Sequence, residues 1–489
     1  MNNGAITRII DLFKSAGISV VLVGGSIRDM LSGRESADID LASPSSPDEI
    51  KAAISSMPWC HGIIDTGLRH GTITVKFLKS MDIVTDTFED ALIDCEVSTK
   101  YGDHDNGGYI MLEITQYRID AFCDGRHAEV RPTRSLTEDL ARRDFTVNAL
   151  AFDGKKVLDP FGGQADLEKK ILRCVGDPVQ RFSEDYLRVL RLFRFEATLG
   201  NLVTNTSESD YAIWSSTLDA ALNSGIAAQI DLKGGDDNFP VKIERVIGEF
   251  NKVFADKNAD CYLFLGRMWE LGVMQALFPE LNAGPVPCNF LTQHPEHHPE
   301  GDVWTHIKLV VQHVEGSNLS VGRWLALLHD IAKPITAKIR PEKGPWYTYY
   351  RHDKVGAKMI PEIGRRLRLP KYLTDLAAKV TRWHLYIYQT PPTSNAVRKV
   401  QLDVGKDNLH YLAQLASADH MGRTVSQEIR DYVTPVAEPL TPILMGRHLQ
   451  DRGHSPGPKF GVLLKRAFDH QIETGEDSID RLYEMAVAE

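Results

Sequence analysis

Ile6, Ile9, Ile10 and Phe13 recur at three- and four-residue steps, which predicts an amphipathic first helix stopped near Gly17. The pattern then changes period. "ISVVLV" at 18–23 is a β-branched run that predicts a strand ended by Gly24-Gly25, and "TITVKF" at 72–77 and "YIMLEIT" at 109–115 predict two more. "HDNGG" at 104–108 predicts a turn before the last of these. The first ~150 residues therefore have a mixed α/β character. From about residue 166 the pattern is that of long helices with few strand signals. It is interrupted at 234–240 ("GGDDNFP"), at the Pro- and His-rich stretch 282–301, and at 433–442 ("VTPVAEPLTP").

Composition changes this picture only a little. The 489 residues are 43% hydrophobic and 25% charged, an ordinary globular balance, and the net charge of -10 excludes a protein that coats nucleic acid over its whole surface. Basic patches are local: 361–382 holds six Lys or Arg against two acids, and 442–470 holds five against two. The six cysteines (Cys60, Cys95, Cys123, Cys174, Cys261, Cys288) form no CxxC pair and read as reduced thiols. No apolar run approaches the ~18 residues of a membrane span and no basic-then-apolar leader begins the chain, so the expectation is a cytoplasmic protein without a membrane partner.

Candidate chemistry begins at "VLVGGSIRDMLSGRESADIDLA", residues 21–42. A strand that ends in Gly24-Gly25 and opens a helix presents bare backbone N–H groups to an anion, with Arg28 one turn inside. Asp38 and Asp40 stand two apart, so in an extended segment their carboxylates share one face. Two such acids repel unless a hard divalent cation lies between them, and two-metal phosphoryl chemistry needs ligands of this kind. Further on, Glu184, Asp185, Arg188, Arg191 and Arg194 recur at helical steps among apolar positions, which predicts one charged stripe on a largely buried helix. That stripe either lines a cleft or pairs internally. "RRDFTVNA" sets Arg143 beside Asp144, with Asn148 four residues on. On local grounds it reads equally as a capped helix start with Asp144 at the N-cap. Glu113 is either a third acid near the metals or a strand residue paired with Arg118.

In order and spacing, "VGGSIRD…DID", "TGLRHGTITV" at 66–75, "EITQYRID" at 113–120, "LTEDLARRDFTVNALAFD" at 136–153, "DPFGG" at 159–163 and "EDYLRVLRLFRF" at 184–195 resemble the head of the DNA polymerase β-type nucleotidyltransferases. The branch they are similar to is class II, the CCA-adding tRNA nucleotidyltransferases and bacterial poly(A) polymerases. The resemblance covers residues 20–200. It implies Mg²⁺ at the catalytic Asp38 and Asp40, and nucleotide contacts from Gly24, Gly25, Arg28, Arg143, Asp144, Asn148, Asp185, Arg188 and Arg191. Asp185 and Arg188 would offer hydrogen-bonding edges to the base, replacing a nucleic-acid template. Tyr186 departs from the family, which often has proline there.

A second ordered series fills the back half: "VWTHIKLVV" at 303–311, "LALLHDIAKP" at 325–334, "YRHDKVGA" at 350–357, "TRWHLYIY" at 381–388 and "LASADHMGR" at 415–423. Histidine beside aspartate on an apolar helix is costly unless paired or metal-bound, and imidazole with carboxylate suits a first-row divalent metal. The series resembles the HD phosphohydrolase domain, with ligand positions at His306, His329, Asp330 and Asp419, and His352 and His384 at positions that some members use for a second ion. The metal implied is Ni²⁺, Mg²⁺ or Mn²⁺, and the implied side activity is a phosphatase or 2′,3′-cyclic phosphodiesterase.

The expected fold class is α+β: a mixed-sheet nucleotidyltransferase head (1–155), then an all-α neck that reads the nucleobase (156–285), an HD domain (286–432) and a helical RNA-contacting tail (433–489). The expected function is template-free addition or repair of the 3′-terminal CCA of tRNA from CTP and ATP, by a monomer or homodimer. The alternatives are a poly(A) polymerase, an enzyme adding only CC or only A, and an HD phosphohydrolase or RNA-binding protein with an inactive head.

Overall fold

The computed structural model describes residues 3–34, 39–65, 67–68, 71–78, 109–123, 128–200, 208–232, 240–421, 427–434 and 441–488. Asp38, the turn expected at 104–108 and most of 234–240 lie outside the described residues. The chain forms two compact units, one of residues 1–231 with 235–242 and one of residues 232–234 with 243–489.

In the first unit a seven-stranded sheet carries β1 (Val21–Val23), β2 (Asp40–Ser43), β3 (Cys60–Ile64), β4 (Thr72–Leu78), β5 (Tyr109–Gln116), β8 (Ala151–Phe152) and β9 (Val157–Leu158), in the order β3-β4-β5-β2-β1-β8-β9. A separate hairpin pairs β6 (Arg118–Cys123) with β7 (Ala128–Pro132). β2 runs parallel to β5, and the other pairings within the large sheet are antiparallel.

The two-residue period assigns each side chain to a face. Leu22, Leu41, Ile73, Val75, Leu112 and Ile114 point one way, into a core that the helix Asn3–Ser15 covers with Ile6, Ile9, Ile10 and Phe13. Val21, Val23 and Ala42 point the other way, against Leu140, Ala149 and Ala151. Asp40, two residues before Ala42, belongs to that second face. So does Glu113, between the core residues Leu112 and Ile114. The register then sets Asp40 opposite Glu113 on β5, and Glu113 opposite Thr74 on β4.

"DPFGG" does its work by close approach. Asp159 accepts the N–H groups of Gly163 and Gln164 at 2.7 and 2.9 Å, which starts the helix Gly163–Glu168. A Cβ on Gly163 would lie 2.1 Å from the carbonyl oxygen of Thr146, so only glycine lets this helix rest on the short 3₁₀ turn Thr146–Asn148. The buried Asp166 completes the contact, accepting from the Thr146 hydroxyl at 2.5 Å and from two nitrogens of Arg173 at 2.9 Å each.

The second unit is helical. His306 lies in the helix Val303–Gln312, and His329 caps the C-terminus of Leu319–Leu328. His352 opens His352–Arg366, His384 caps Lys371–Trp383, and Asp419 closes Leu409–Asp419. Near the end of the chain the helices Gly446–Gln450, Pro458–Thr474 and Ile479–Val487 share a small core of Leu444, Leu449, Ala467, Leu482 and Ala486. Cys174, Cys261 and Cys288 are free and buried. Among the described residues no helix is long and apolar enough to cross a membrane.

Gly163→Ala is expected to destabilise the first unit by about 1–3 kcal/mol, the usual range for overpacking a tight contact. Chemical denaturation followed by far-UV circular dichroism checks this.

Candidate functional site

The head site starts from the glycine turn. Gly24 has φ +82°, and a Cβ there would stand 2.8 Å from a guanidinium nitrogen of Arg143. A Cβ on Gly25 would stand 3.3 Å from the guanidinium of Arg28. The two glycines therefore make room for arginine side chains as well as baring backbone at the start of the helix Gly25–Leu31.

Those arginines are held in place. Arg28 donates to both carboxylate oxygens of Asp29, at 2.9 and 2.8 Å, and to the Asn148 side-chain oxygen at 2.7 Å. Asn148 donates to Asp144 Oδ1 at 2.9 Å, and Arg191 donates to Asp144 Oδ2 at 2.7 Å. Arg28, Arg191 and Arg194 also lie over the Phe195 ring, 4.8, 5.6 and 3.8 Å from its centroid. Burial by itself would raise the pKa of Asp144. The Arg191 charge and hydrogen bonds from Asn148, Arg191 and the Phe145 N–H outweigh it and hold the carboxyl well below its usual range. Burial likewise lowers Arg143, while the charges of Asp139, Asp144 and Asp40 act in the opposite direction. Asp40 and Glu113 are both exposed and opposite each other in register, and Asp40 lies close enough to Arg143 for its charge to act there.

The stripe expected over 184–195 is not one helix. Pro178–Glu184 and Leu187–Leu199 are separate helices, broken at Asp185, whose backbone is extended (φ −151°, ψ 102°). Asp185 Oδ1 accepts the Leu187 N–H at 3.1 Å, the local bond by which an aspartate starts a helix rather than continues one. Arg188 still meets Glu184 at 2.7 Å, and it donates to the carbonyls of Arg181 and Arg142 at 2.9 and 3.0 Å. Both arginines are paired internally: Arg188 with Glu184, and Arg191 with the buried Asp144. Asp144 is also not the N-cap of an α-helix, because residues 146–148 form a 3₁₀ turn and its carboxylate is buried.

Sequence reasoning missed the residues that orient these groups. Asp139, buried, pairs with Arg142 at 3.1 Å and Arg143 at 3.6 Å, and its signal was helical spacing within "EDLARRD". Asp29 and Phe195 gave no local signal.

The second site gathers His306, His329, Asp330, His352, His384 and Asp419 as expected. Nδ1 of His329, His352 and His384 donates to the carbonyls of Ala326, Tyr349 and Thr381, each at 2.7 Å, and Nδ1 of His306 meets Glu300 at 2.7 Å. These contacts leave every Nε2 directed inward. Asp330 is shared: Oδ2 lies 3.4 and 3.1 Å from Nε2 of His306 and His329, and Oδ1 lies 3.0 and 3.7 Å from Nε2 of His352 and His384. Asp419 lies 3.1 Å from His306. Lys333, which sequence reasoning passed over inside "HDIAKP", sits 2.6 Å from Asp330 and 2.7 Å from Gln293.

The electrostatics fit a cation. Nε2 of His306 and His329 and both oxygens of Asp330 are buried with no hydrogen-bond partner. Buried donors and acceptors left in this way are the mark of an ion site. Burial and Lys333 lower His306, yet its close contacts with the carboxylates of Asp330, Asp419 and Glu300 push it up to about 10. Burial and the charges of His352 and His329 push His384 down to about 3, so it is a neutral ligand at ordinary pH. Two clusters, His306-His329-Asp330 and Asp330-His352-His384, have the spacing to hold ions.

Comparison with known proteins matches both parts of the chain. The Poly A polymerase head domain family matches residues 20–173, and the HD domain family matches residues 303–420. The multifunctional CCA protein of Mannheimia succiniciproducens is 30% identical over 385 residues, which take in 75% of this chain and 84% of that protein. The CCA-adding enzyme of Leuconostoc mesenteroides is 37% identical over 206 residues, 41% of this chain and 42% of that one. In fold, the crystal structure of the Bacillus stearothermophilus CCA-adding enzyme in complex with CTP is similar with a TM-score of 0.62 at 20% identity, covering 99% of this chain and 97% of that one.

Ni²⁺ added to metal-stripped protein is expected to raise the unfolding temperature of the second unit by several degrees. A hundredfold excess over its Kd is worth about 2.7 kcal/mol. Differential scanning calorimetry with and without the ion measures the shift, and His329→Ala is expected to abolish it.

Proposed function

The chain belongs to the CCA-adding tRNA nucleotidyltransferase family, and on that footing we propose how its two sites divide the chemistry. The protein adds or repairs the 3′-terminal CCA of tRNA from CTP and ATP without a nucleic-acid template, in the cytoplasm. The observation that carries the proposal is the pair of carboxylates on one sheet face, Asp40 opposite Glu113, with Asp40 near Arg143 and the neighbouring Arg28 and Arg191 held by Asp29 and Asp144.

Asp38 and Asp40 would hold Mg²⁺, with Glu113 next to Asp40 in register. When bound there, Mg²⁺ would lower the pKa of the attacking 3′-hydroxyl and offset charge building on the phosphoryl group. Arg28, Arg143 and Arg191 grip the triphosphate as charge-assisted donors. Backbone at Gly24 and Gly25 allows close approach. Asp144 and Asn148 position the ribose end of the nucleotide.

Asp185 accepts from an exocyclic amine and Arg188 donates to a ring nitrogen or carbonyl. C and A both carry that amine, whereas U and G present a carbonyl there, which accounts for the choice of bases. The contacts of Arg188 with Glu184 and two backbone carbonyls fix its guanidinium plane before a base arrives.

The HD site would take Ni²⁺, Mg²⁺ or Mn²⁺ on His306, His329, Asp330 and Asp419, with His352 and His384 serving a second ion through the shared Asp330. An ion held there would supply an activated water for hydrolysis of a phosphate ester or 2′,3′-cyclic phosphate. The basic helix Pro458–Thr474 would contact tRNA phosphates.

Asp40→Ala is expected to lower labelled CTP incorporation into tRNA that lacks its last three residues by on the order of a thousandfold, the scale of losing a principal charge-stabilising group. Phosphatase activity of the same variant should be unchanged. Intact incorporation would overturn the assignment of the head.

A further inference from the structure

The tripeptide His-Pro-Glu occurs twice in "QHPEHHPEG", at 294–296 and 298–300, with His297 between the copies. The second copy serves the buried HD centre. Glu300 accepts from His298 at 3.0 Å and from His306 at 2.7 Å. The first copy faces outward and has no part in that centre. Yet His294, Glu296 and His297, half-buried to exposed, bring their ligand atoms within 4.8 Å of one another.

Three further groups meet the same spacing: His298-Glu300-His306, His306-His329-Asp330 and Asp330-His352-His384. The last three are joined through shared residues, His306 and then Asp330. The first adjoins the second in sequence at 297–298. His294, Glu296 and His297 also line the same cavity, of about 1150 Å³, as Asp330, His352 and His384. One cavity is therefore lined both by the exposed group and by residues of the buried clusters, and the two stand next to each other in sequence at 297–298.

We propose that His294, Glu296 and His297 form an entry site that captures a borderline transition-metal ion and hands it to the buried histidines by ligand exchange. This rests on the reading of the buried cluster as a metal centre. Two imidazoles and one carboxylate select Ni²⁺, Co²⁺ or Zn²⁺ over Mg²⁺, and a three-ligand site open to water binds weakly enough to release its ion. The buried set, richer in ligands and shielded from water, is the thermodynamic destination. No group is oxidised or reduced in the transfer. Each step exchanges one ligand for another on the same ion.

The test follows how fast the buried centre fills. Metal-stripped full-length protein is mixed with chelator-buffered Ni²⁺ below saturation, and ion that resists a rapid chelator quench is counted against time. Equilibrium Ni²⁺ content is measured separately by mass spectrometry. His294→Ala with His297→Ala is expected to slow filling on the order of tenfold, the scale on which changes around a metal site act, with equilibrium content unchanged. His297→Gln, which keeps size and polarity but loses the imidazole, should slow it less. CTP incorporation by the head, unaltered in both variants, verifies folding. Equal filling rates in variant and unaltered protein would overturn the proposal. So would a fall in equilibrium content, which would make the rim part of the centre itself. An unaltered protein that retains no Ni²⁺ would instead overturn the metal-centre reading, and the proposal with it.

Discussion

A carboxylate buried in protein is tolerable only where positive charge and donors surround it, and this chain uses that constraint twice. In the first unit Asp144 gathers Arg191 and Asn148, and through Asn148 the guanidinium of Arg28. In the second unit Asp330 gathers four histidines and Lys333. The outcomes differ. Asp144 is satisfied by protein groups alone, and the result is a rigid set of arginines. Both oxygens of Asp330 remain without a hydrogen-bond partner, as do two facing imidazole nitrogens, and the result is a place for an ion. One physical requirement therefore yields a fixed cluster of arginines in one unit and a cluster of histidines around an unsatisfied carboxylate in the other.

The alternation of apolar residues is what brings these acids to the right surface. Leu41 and Ile114 point into the core beneath the first helix, so Asp40 and Glu113 must emerge on the opposite face, in register with each other. Close packing then limits the approach from that side. Arg143 occupies the space a Gly24 side chain would need, and the turn carrying Asn148 rests directly on Gly163. Substitutions at these glycines thus act on the nucleotide site through geometry, without touching any charged group.

Much of this was legible in the residues. The glycine turn, the acids near it and the ordered histidines and aspartates of the back half are local patterns whose chemistry follows from residue type and spacing. The helix over 184–195 was misread because spacing alone cannot show that Asp185 bonds the Leu187 N–H and so interrupts the helix. The local alternative for Asp144, an N-cap, could not show that its principal partner is Arg191, 47 residues away in sequence. Lys333 was overlooked because a lysine beside a metal site is unremarkable until it is found buried against Asp330. Partners distant in sequence leave no periodicity to read.

Three bonds hold the Arg188 guanidinium in place without substrate. The most direct measurement is a crystal structure of the protein with CTP and Mg²⁺. The expected result is triphosphate oxygens bonded to Arg28, Arg143 and Arg191, with the ion lodged between them and Asp40. Nucleotide ordered elsewhere, with those arginines still turned to Asp144 and Asn148, would contradict the account.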